Sequence, residues 1–134
     1  MVAIKMPVVI SAEIANKFIS RIYTDTGSEA DIIYWHCLRT SLRHIHDRAR
    51  RTNLKVSGLT GTPVNAMGRI RLEVVMGTFP LLRTETIDFT ILEGTSRFNV
   101  LFGRIALEKF GAITSTAHAE IRFSTPNGVA TIHS

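Results

Sequence analysis

Alternation between apolar and polar side chains is the dominant pattern along this chain. Residues 68–76 place Ile70, Leu72 and Val74 on one face, and residues 84–92 alternate in the same way. A period of two residues predicts half-buried β-strands. Less regular alternation or a short apolar run predicts further strands at residues 5–13, 16–24, 29–35, 55–59, 64–67, 98–102, 114–123 and 129–132.

Helical patterns are short and few. Residues 104–110 predict one short helix near the C-terminus, ended by Gly111, and residues 38–51 predict either a short basic helix or a loop. Glycine, proline and asparagine residues mark turns between the strands. The clearest turns are at residues 58–63, 77–80 and 125–128. Many short strands with regularly spaced turns predict an all-β sandwich or barrel.

Length and composition limit the class of protein. The chain has 134 residues, of which 45% are hydrophobic, so we expect one domain over residues 1–134. Cys37 is the single cysteine and excludes an intrachain disulfide, which indicates a reducing compartment. No apolar run approaches the roughly 18 residues that would span a bilayer, and residues 1–10 lack a signal peptide's apolar stretch. We therefore expect a soluble, intracellular, cytoplasmic protein without a membrane partner.

Positive charge is concentrated in one part of the chain. The net charge is +5, and residues 39–55 carry a dense group of cations opposed only by Asp47. These cations are Arg39, Arg43, Arg48, Arg50, Arg51 and Lys55. Such a stretch can bind phosphates, but it can equally be a solvated helix or loop. Because no aromatic residue lies within residues 39–55, we expect nucleic acid to be an unlikely partner.

A tight turn carrying a carboxylate follows the predicted strand 16–24. Asp25 is followed by Thr26, Gly27 and Ser28. Glycine lets the backbone turn sharply, and the two hydroxyls can donate hydrogen bonds that orient the carboxylate. Aspartic peptidases need such carboxylates in pairs, around one water. Since the turn occurs once in the chain, an enzyme of this kind has to be a homodimer.

Other constellations point to weaker hypotheses. His36, His44 and His46 lack a matching carboxylate or thiolate set, so we expect no metal and no cofactor. Cys37 lies between apolar residues, which favours a buried, inert thiol over a nucleophile. Ser28 has no general base placed beside it, which favours an orienting hydroxyl over a nucleophile. Asp25 taken alone could also be a turn residue that caps backbone N–H groups.

Four motifs stand in order over residues 8–132. They are Asp25-Thr26-Gly27-Ser28 with residues 30–35, residues 56–61 with 67–70, residues 98–104, and residues 114–116 with 123–129. In this order they resemble the retropepsin-like aspartic protease of gypsy-type long-terminal-repeat retrotransposons, particularly those of plants. The resemblance implies an all-β, single-domain, retropepsin-like acid protease barrel with one short helix near the C-terminus, active as a homodimer.

The same resemblance implies a role for each residue of the turn. Asp25 would be the catalytic carboxylate, and Thr26 would bond across the dimer axis. Gly27 would supply backbone that meets the substrate, and Ser28 would support the loop. The implied activity is that of an aspartic endopeptidase that cuts a retroelement polyprotein.

Two further elements take roles from the resemblance. A flap that closes over the peptide would comprise Gly58, Leu59, Thr60 and Gly61. Arg104 would pair with a carboxylate near the active loop, either Glu29 or Asp31. Glu29 departs from the plant elements, which usually carry serine after the Asp-Thr-Gly-Ser motif.

Three hypotheses about function follow. The first is an active homodimeric aspartic endopeptidase. The second is an inactive protein of the same fold that serves dimerisation or peptide binding. The third is a basic nucleic-acid-binding fragment that acts through residues 39–55. The complete motif from Asp25 to Ser28 favours the first over the second, and the absence of zinc-knuckle cysteines counts against the third.

Overall fold

The computed structural model describes residues 7–50, 55–57, 63–94 and 96–134. The strands, in chain order, are β1 Val8–Ile14, β2 Lys17–Thr24, β3 Ile32–Tyr34, β4 Lys55–Ser57, β5 Pro63–Thr78, β6 Leu81–Leu92, β7 Val100–Phe102, β8 Ile113–Ser115, β9 Glu120–Thr125 and β10 Gly128–His133. The helices are α1 Trp35–Thr40, a 3-10 helix Arg43–Arg48, and α2 Arg104–Lys109. The predicted all-β class is confirmed.

Six strands close into a barrel. They follow the order β1-β2-β7-β3-β6-β5, and β5 returns to β1 through the pairs Glu13–Val75 and Ile14–Val74. The short strand β4 pairs with the start of β5 outside this ring. Strands β8, β9 and β10 form a separate three-stranded antiparallel sheet.

The core forms because the alternating strands turn one face inward. Strand β5 buries Ile70, Leu72 and Val74, and β6 buries Ile87, Phe89 and Ile91. Phe89 stacks on Phe102, and Phe102 stacks on Phe110 of the turn after α2. Burial of large aromatic side chains stabilises such a small barrel most strongly, because each removes a large apolar area from water.

Strand β7 lies between two strands that are consecutive along the chain. It pairs parallel to β2 on one side and antiparallel to β3 on the other. The segment from β2 to β3, residues 25–31, therefore has to cross the end of β7. We call residues 25–31 the Asp25 loop.

Helical structure is more extensive than predicted. The short helix near the C-terminus is confirmed as α2, and the segment 38–51, for which a short basic helix or a loop was predicted, contains the end of α1 and the 3-10 helix. The predicted strand 29–35 is reduced to β3, since Trp35 already begins α1. Cys37 and Leu38 of α1 are buried, so local burial rather than strand pairing organises this stretch.

Two strand boundaries also differ from the prediction. Residues 64–67 and 68–76 belong to one long strand, β5, with a bulge between Ala66 and Gly68. The predicted strand 114–123 is divided into β8 and β9, because the chain turns at residues 116–119, where Ala119 has φ +50°. The turn and hairpin after Thr125 are confirmed.

The buried thiol is also as predicted. Cys37 is 0% exposed, and burial raises its pKa to about 11. Within the described ranges, no helix has the length and apolar character needed to cross a bilayer.

Candidate active site

Asp25 extends the β2–β7 ladder by one residue. Its backbone N–H donates to the Phe102 carbonyl oxygen at 2.9 Å, and its own carbonyl accepts from the Ser28 N–H at 3.2 Å. The Gly27 N–H donates to Asp25 Oδ1 at 2.9 Å. The chain thus leaves a rigid strand and turns at once, with the partly exposed carboxylate held by backbone of the same turn.

The Ser28 hydroxyl acts differently from the prediction that it orients the Asp25 carboxylate. Ser28 Oγ donates to the Ala30 carbonyl oxygen at 2.8 Å and accepts from the Ala30 N–H at 3.3 Å. It orders the loop backbone instead, because a serine hydroxyl reaches a backbone group two residues away more readily than a side chain three residues back. Thr26 is exposed, and its bond across a dimer axis stays a prediction.

Gly103 fits directly beneath the Asp25 loop. A Cβ at this position would stand 2.4 Å from the Ala30 carbonyl oxygen and 2.7 Å from that of Ser28. The φ of Gly103 is −89°, so glycine is needed here for space and not for a left-handed backbone. The next residue, Arg104, donates its backbone N–H to the Ser28 carbonyl oxygen at 2.8 Å. The end of β7 and the loop are therefore packed backbone against backbone.

Asp31 ties the far end of the loop to α2. Its carboxylate is 5% exposed, and Oδ1 accepts the backbone N–H groups of Gly103 at 2.8 Å and Ala106 at 3.2 Å. Burial raises the pKa of this carboxyl above its ordinary value, while the two N–H donors and the charge of Lys109 act in the opposite direction. The role of Asp31 was missed in the sequence, since its partners are backbone groups more than 70 residues away.

The predicted ion pair of Arg104 with Glu29 or Asp31 is wrong for this chain as described. Arg104 and Glu29 are both exposed, and neither forms an ion pair with a described residue. Asp31 Oδ1 accepts two backbone N–H groups instead. Arg104 contributes its backbone N–H to the loop and leaves its side chain in solvent.

A small groove opens beside Asp25. Its volume is about 190 Å³. It is lined by Pro7, Val8, Tyr23, Thr24, Asp25, Thr26, Thr114 and Thr116. The two last threonines come from β8 and the turn after it, and no sequence pattern connected them to Asp25 beyond their place in the fourth motif. Tyr23 contacts Phe98 edge to face, with ring centroids 5.0 Å apart.

The predicted flap lies outside the described residues. Gly58, Leu59, Thr60 and Gly61 fall between two described strands, β4 and β5, which pair antiparallel up to Ser57–Pro63.

The histidines named in the sequence do not converge. His36 contacts the Asn99 side chain, His44 the Ala15 carbonyl oxygen and His46 the Arg43 carbonyl oxygen. Among described residues, no three histidine, cysteine or acidic side chains come close enough to hold a metal ion.

Comparison with known proteins identifies the fold. The crystal structure of the retroviral protease-like domain of Ddi1 from Leishmania major superposes with a TM-score of 0.62 at 10% sequence identity. The match covers 96% of this chain and 95% of that domain. No family model and no curated protein sequence matches the chain. The chain therefore has a retropepsin-like fold.

A methyl group added at Gly103 should strain the loop. We expect Gly103→Ala to lower the free energy of unfolding by about 3 kcal/mol, because its Cβ would overlap two fixed carbonyl oxygens. Gly111→Ala is a control without a backbone clash, since its φ is +60° and its Cβ would meet only the end of the Arg83 side chain at 3.4 Å. That control should lose only about 1 kcal/mol. Urea denaturation of both variants measures the difference, and equal losses would show that space beneath the loop does not matter.

Two substitutions of Asp31 should differ in their effect on the free energy of unfolding. Asp31→Asn keeps an oxygen that can accept both N–H groups, whereas Asp31→Ala leaves two buried donors unpaired and should cost about 1–3 kcal/mol.

A carboxyl whose pKa is raised on folding makes the native state bind more protons, so stability falls as pH rises from the ordinary pKa through the raised one. Asp31→Asn should remove that part of the decline. Unfolding measured across acidic to neutral pH tests this, and equal losses for both variants would contradict it.

Proposed function

We propose that this chain is an aspartic endopeptidase that acts as a homodimer and processes a polyprotein of the retroelement type. One observation carries the proposal: a partly exposed Asp25 carboxylate, fixed by the Gly27 N–H, borders a groove in a retropepsin-like barrel. One chain supplies one such aspartate. A second copy completes the site.

The chemistry follows from two carboxylates placed about 3 Å apart, which cannot both ionise comfortably. The pair shares one proton, and its apparent pKa values belong to the pair. The ionised member takes a proton from a water molecule while the protonated member donates to the scissile carbonyl oxygen. Water attacks the carbonyl carbon and gives a tetrahedral diol. The C–N bond then breaks as the protonated carboxyl gives its proton to the leaving nitrogen and the ionised one takes a proton from a diol hydroxyl, which restores the shared proton.

The surroundings of Asp25 suit an extended peptide. Pro7, Val8 and Tyr23 give the groove apolar surface, and threonine hydroxyls give it hydrogen-bonding groups. Thr26 and Gly27 are exposed in the single chain, which leaves them available to a second copy and to substrate backbone. The flap of residues 58–61 would close over the peptide and exclude water.

Replacement of the carboxylate should abolish catalysis and leave the fold intact. In Asp25→Asn the amide oxygen can still accept the Gly27 N–H, but the amide cannot act as a base. We expect peptide cleavage to fall by at least about a thousandfold, with an unchanged melting temperature. Asp47→Asn is the matched control, since it makes the same change at an exposed residue that does not line the groove at Asp25. Cleavage by Asp25→Asn at the wild-type rate would refute the proposal, and a folded, dimeric but inactive wild-type chain would favour the binding-module alternative.

Assembly should govern activity. Because each site needs two chains, specific activity should fall when the protein is diluted below its dimer dissociation constant. Sedimentation measured over the same concentration range should show the loss of dimer in parallel. A tandem fusion of two copies through a flexible linker should keep its activity on dilution. An active monomer with constant specific activity would contradict the dimer proposal.

A further inference from the structure

A second groove lies between α1 and the 3-10 helix. It has a volume of about 600 Å³ and is lined by Trp35, Arg39, Thr40, Arg43 and His46. None of these residues lines the groove at Asp25. We call this site the basic groove. Its size is that of a small-ligand site, and the proposed peptidase activity does not use it.

Two arginines of the basic groove form no ion pair with a described residue. The side chains of Arg39 and Arg43 are exposed and form no ion pair with any described residue. Other arginines of the same segment have partners: Arg48 donates to the Arg71 carbonyl oxygen, and Arg50 lies 3.8 Å from Asp88. Among the described cations of this segment, Arg48 and Arg50 are therefore held by the barrel, whereas Arg39 and Arg43 lie at the groove.

An aromatic side chain lies beside these cations. Trp35 packs against the core with one part and lines the basic groove with another. Its ring meets the His46 ring edge to face, with centroids 6.1 Å apart and an interplanar angle of 66°. His46 Nδ1 bonds to the Arg43 carbonyl oxygen, which fixes the imidazole and leaves Nε2 for another partner. The helical spacing of Trp35 and Arg39 puts both on one face of α1.

The geometry points to the basic groove as a binding site for single-stranded nucleic acid. Arg39 and Arg43 would neutralise backbone phosphates, and an unstacked base would lie on Trp35. Guanidinium groups recognise phosphate oxygens, and bases stack on aromatic rings whatever their sequence. The sequence argued against this partner because residues 39–55 contain no aromatic side chain, but the fold brings in Trp35 from outside that segment.

An acidic peptide would use only part of this arrangement. Its carboxylates could pair with Arg39 and Arg43, but nothing in such a peptide requires a partly exposed tryptophan beside them. A nucleotide presents a phosphate and a flat base together, and the basic groove presents guanidinium groups and a flat ring together. This match in kind is why nucleic acid is the better candidate.

Trp35 supplies a direct signal for the test because it is the chain's single tryptophan. Oligouridylate and oligothymidylate of about ten nucleotides are titrated into the wild-type protein while its fluorescence is recorded. We expect quenching by at least one of them. With two phosphates neutralised, the logarithm of affinity should fall with the logarithm of salt concentration at a slope of about −1.4, or roughly sevenfold for a fourfold rise in salt.

Paired variants test whether binding depends on the basic groove itself or only on the net charge of the protein. Arg39→Gln combined with Arg43→Gln should weaken binding by about tenfold or more at low salt. Lys17→Gln combined with Arg97→Gln removes the same charge from exposed positions outside the groove, and it should change affinity by no more than about twofold. Trp35→Leu should lose about tenfold, measured by anisotropy of a labelled oligonucleotide, and Trp35→Phe should restore most of it because it keeps an aromatic face.

Each outcome decides the proposal. Preference for oligouridylate would assign RNA, and equal binding would assign single strands of either kind. Absence of quenching, or equal losses in the two double variants, would overturn the proposal. A glutamate peptide of the same length that quenches Trp35 and binds as tightly would also overturn it and assign a peptide site. None of these results depends on cleavage, so the peptidase proposal stands or falls separately.

Discussion

The contact between Gly103 and the Asp25 loop is the constraint on which the site depends. Because β7 separates β2 from β3, the chain between those strands has to pass over the end of β7. The crossing needs a residue without a side chain directly after β7, because a Cβ at Gly103 would meet backbone oxygens at 2.4 and 2.7 Å. The position of Asp25 is therefore set by strand order and by one glycine, while within the turn the Gly27 N–H orients the carboxylate and Ser28 orders the loop backbone.

Backbone donors, not a salt bridge, hold the second end of the loop. Asp31 is buried, and a buried charge is tolerable only if its oxygens are satisfied. The N–H groups of Gly103 and Ala106 are free because they lie at the start of α2, where no preceding turn accepts them. One carboxylate thus joins β3, β7 and α2. The side chain of Arg104, which an ion pair would have fixed in place, stays in solvent.

Two surfaces of different chemistry result. The groove at Asp25 combines a carboxylate with apolar and hydroxyl groups, while the basic groove combines guanidinium groups with Trp35 and His46. Two other cations of residues 39–55 are held by the barrel: Arg48 donates to the Arg71 carbonyl oxygen, and Arg50 lies 3.8 Å from Asp88, which Arg69 also approaches. The division matters because charge held in an ion pair contributes little to an external ligand, whereas an unpaired guanidinium is available to one.

Features that depend on near neighbours along the chain could be predicted from the sequence. Alternation placed the inward faces of β5 and β6, because side chains on a strand have a period of two whatever lies opposite. The Asp-Thr-Gly-Ser turn is local, and so is the end of α2 near Gly111. The order of the four motifs also led to the retropepsin-like fold.

Groups that meet across long separations along the chain are brought together by the fold. The partners of Asp31 and the space beneath the loop at Gly103 depend on which strand lies beside which. Burial of Cys37 and Leu38 turned part of a predicted strand into α1, since apolar runs of this length suit a buried helix as well as a strand. A contact between residues one turn apart can be predicted from the sequence, because local geometry fixes it. The contacts of Asp31 with groups more than 70 residues away follow only from the fold.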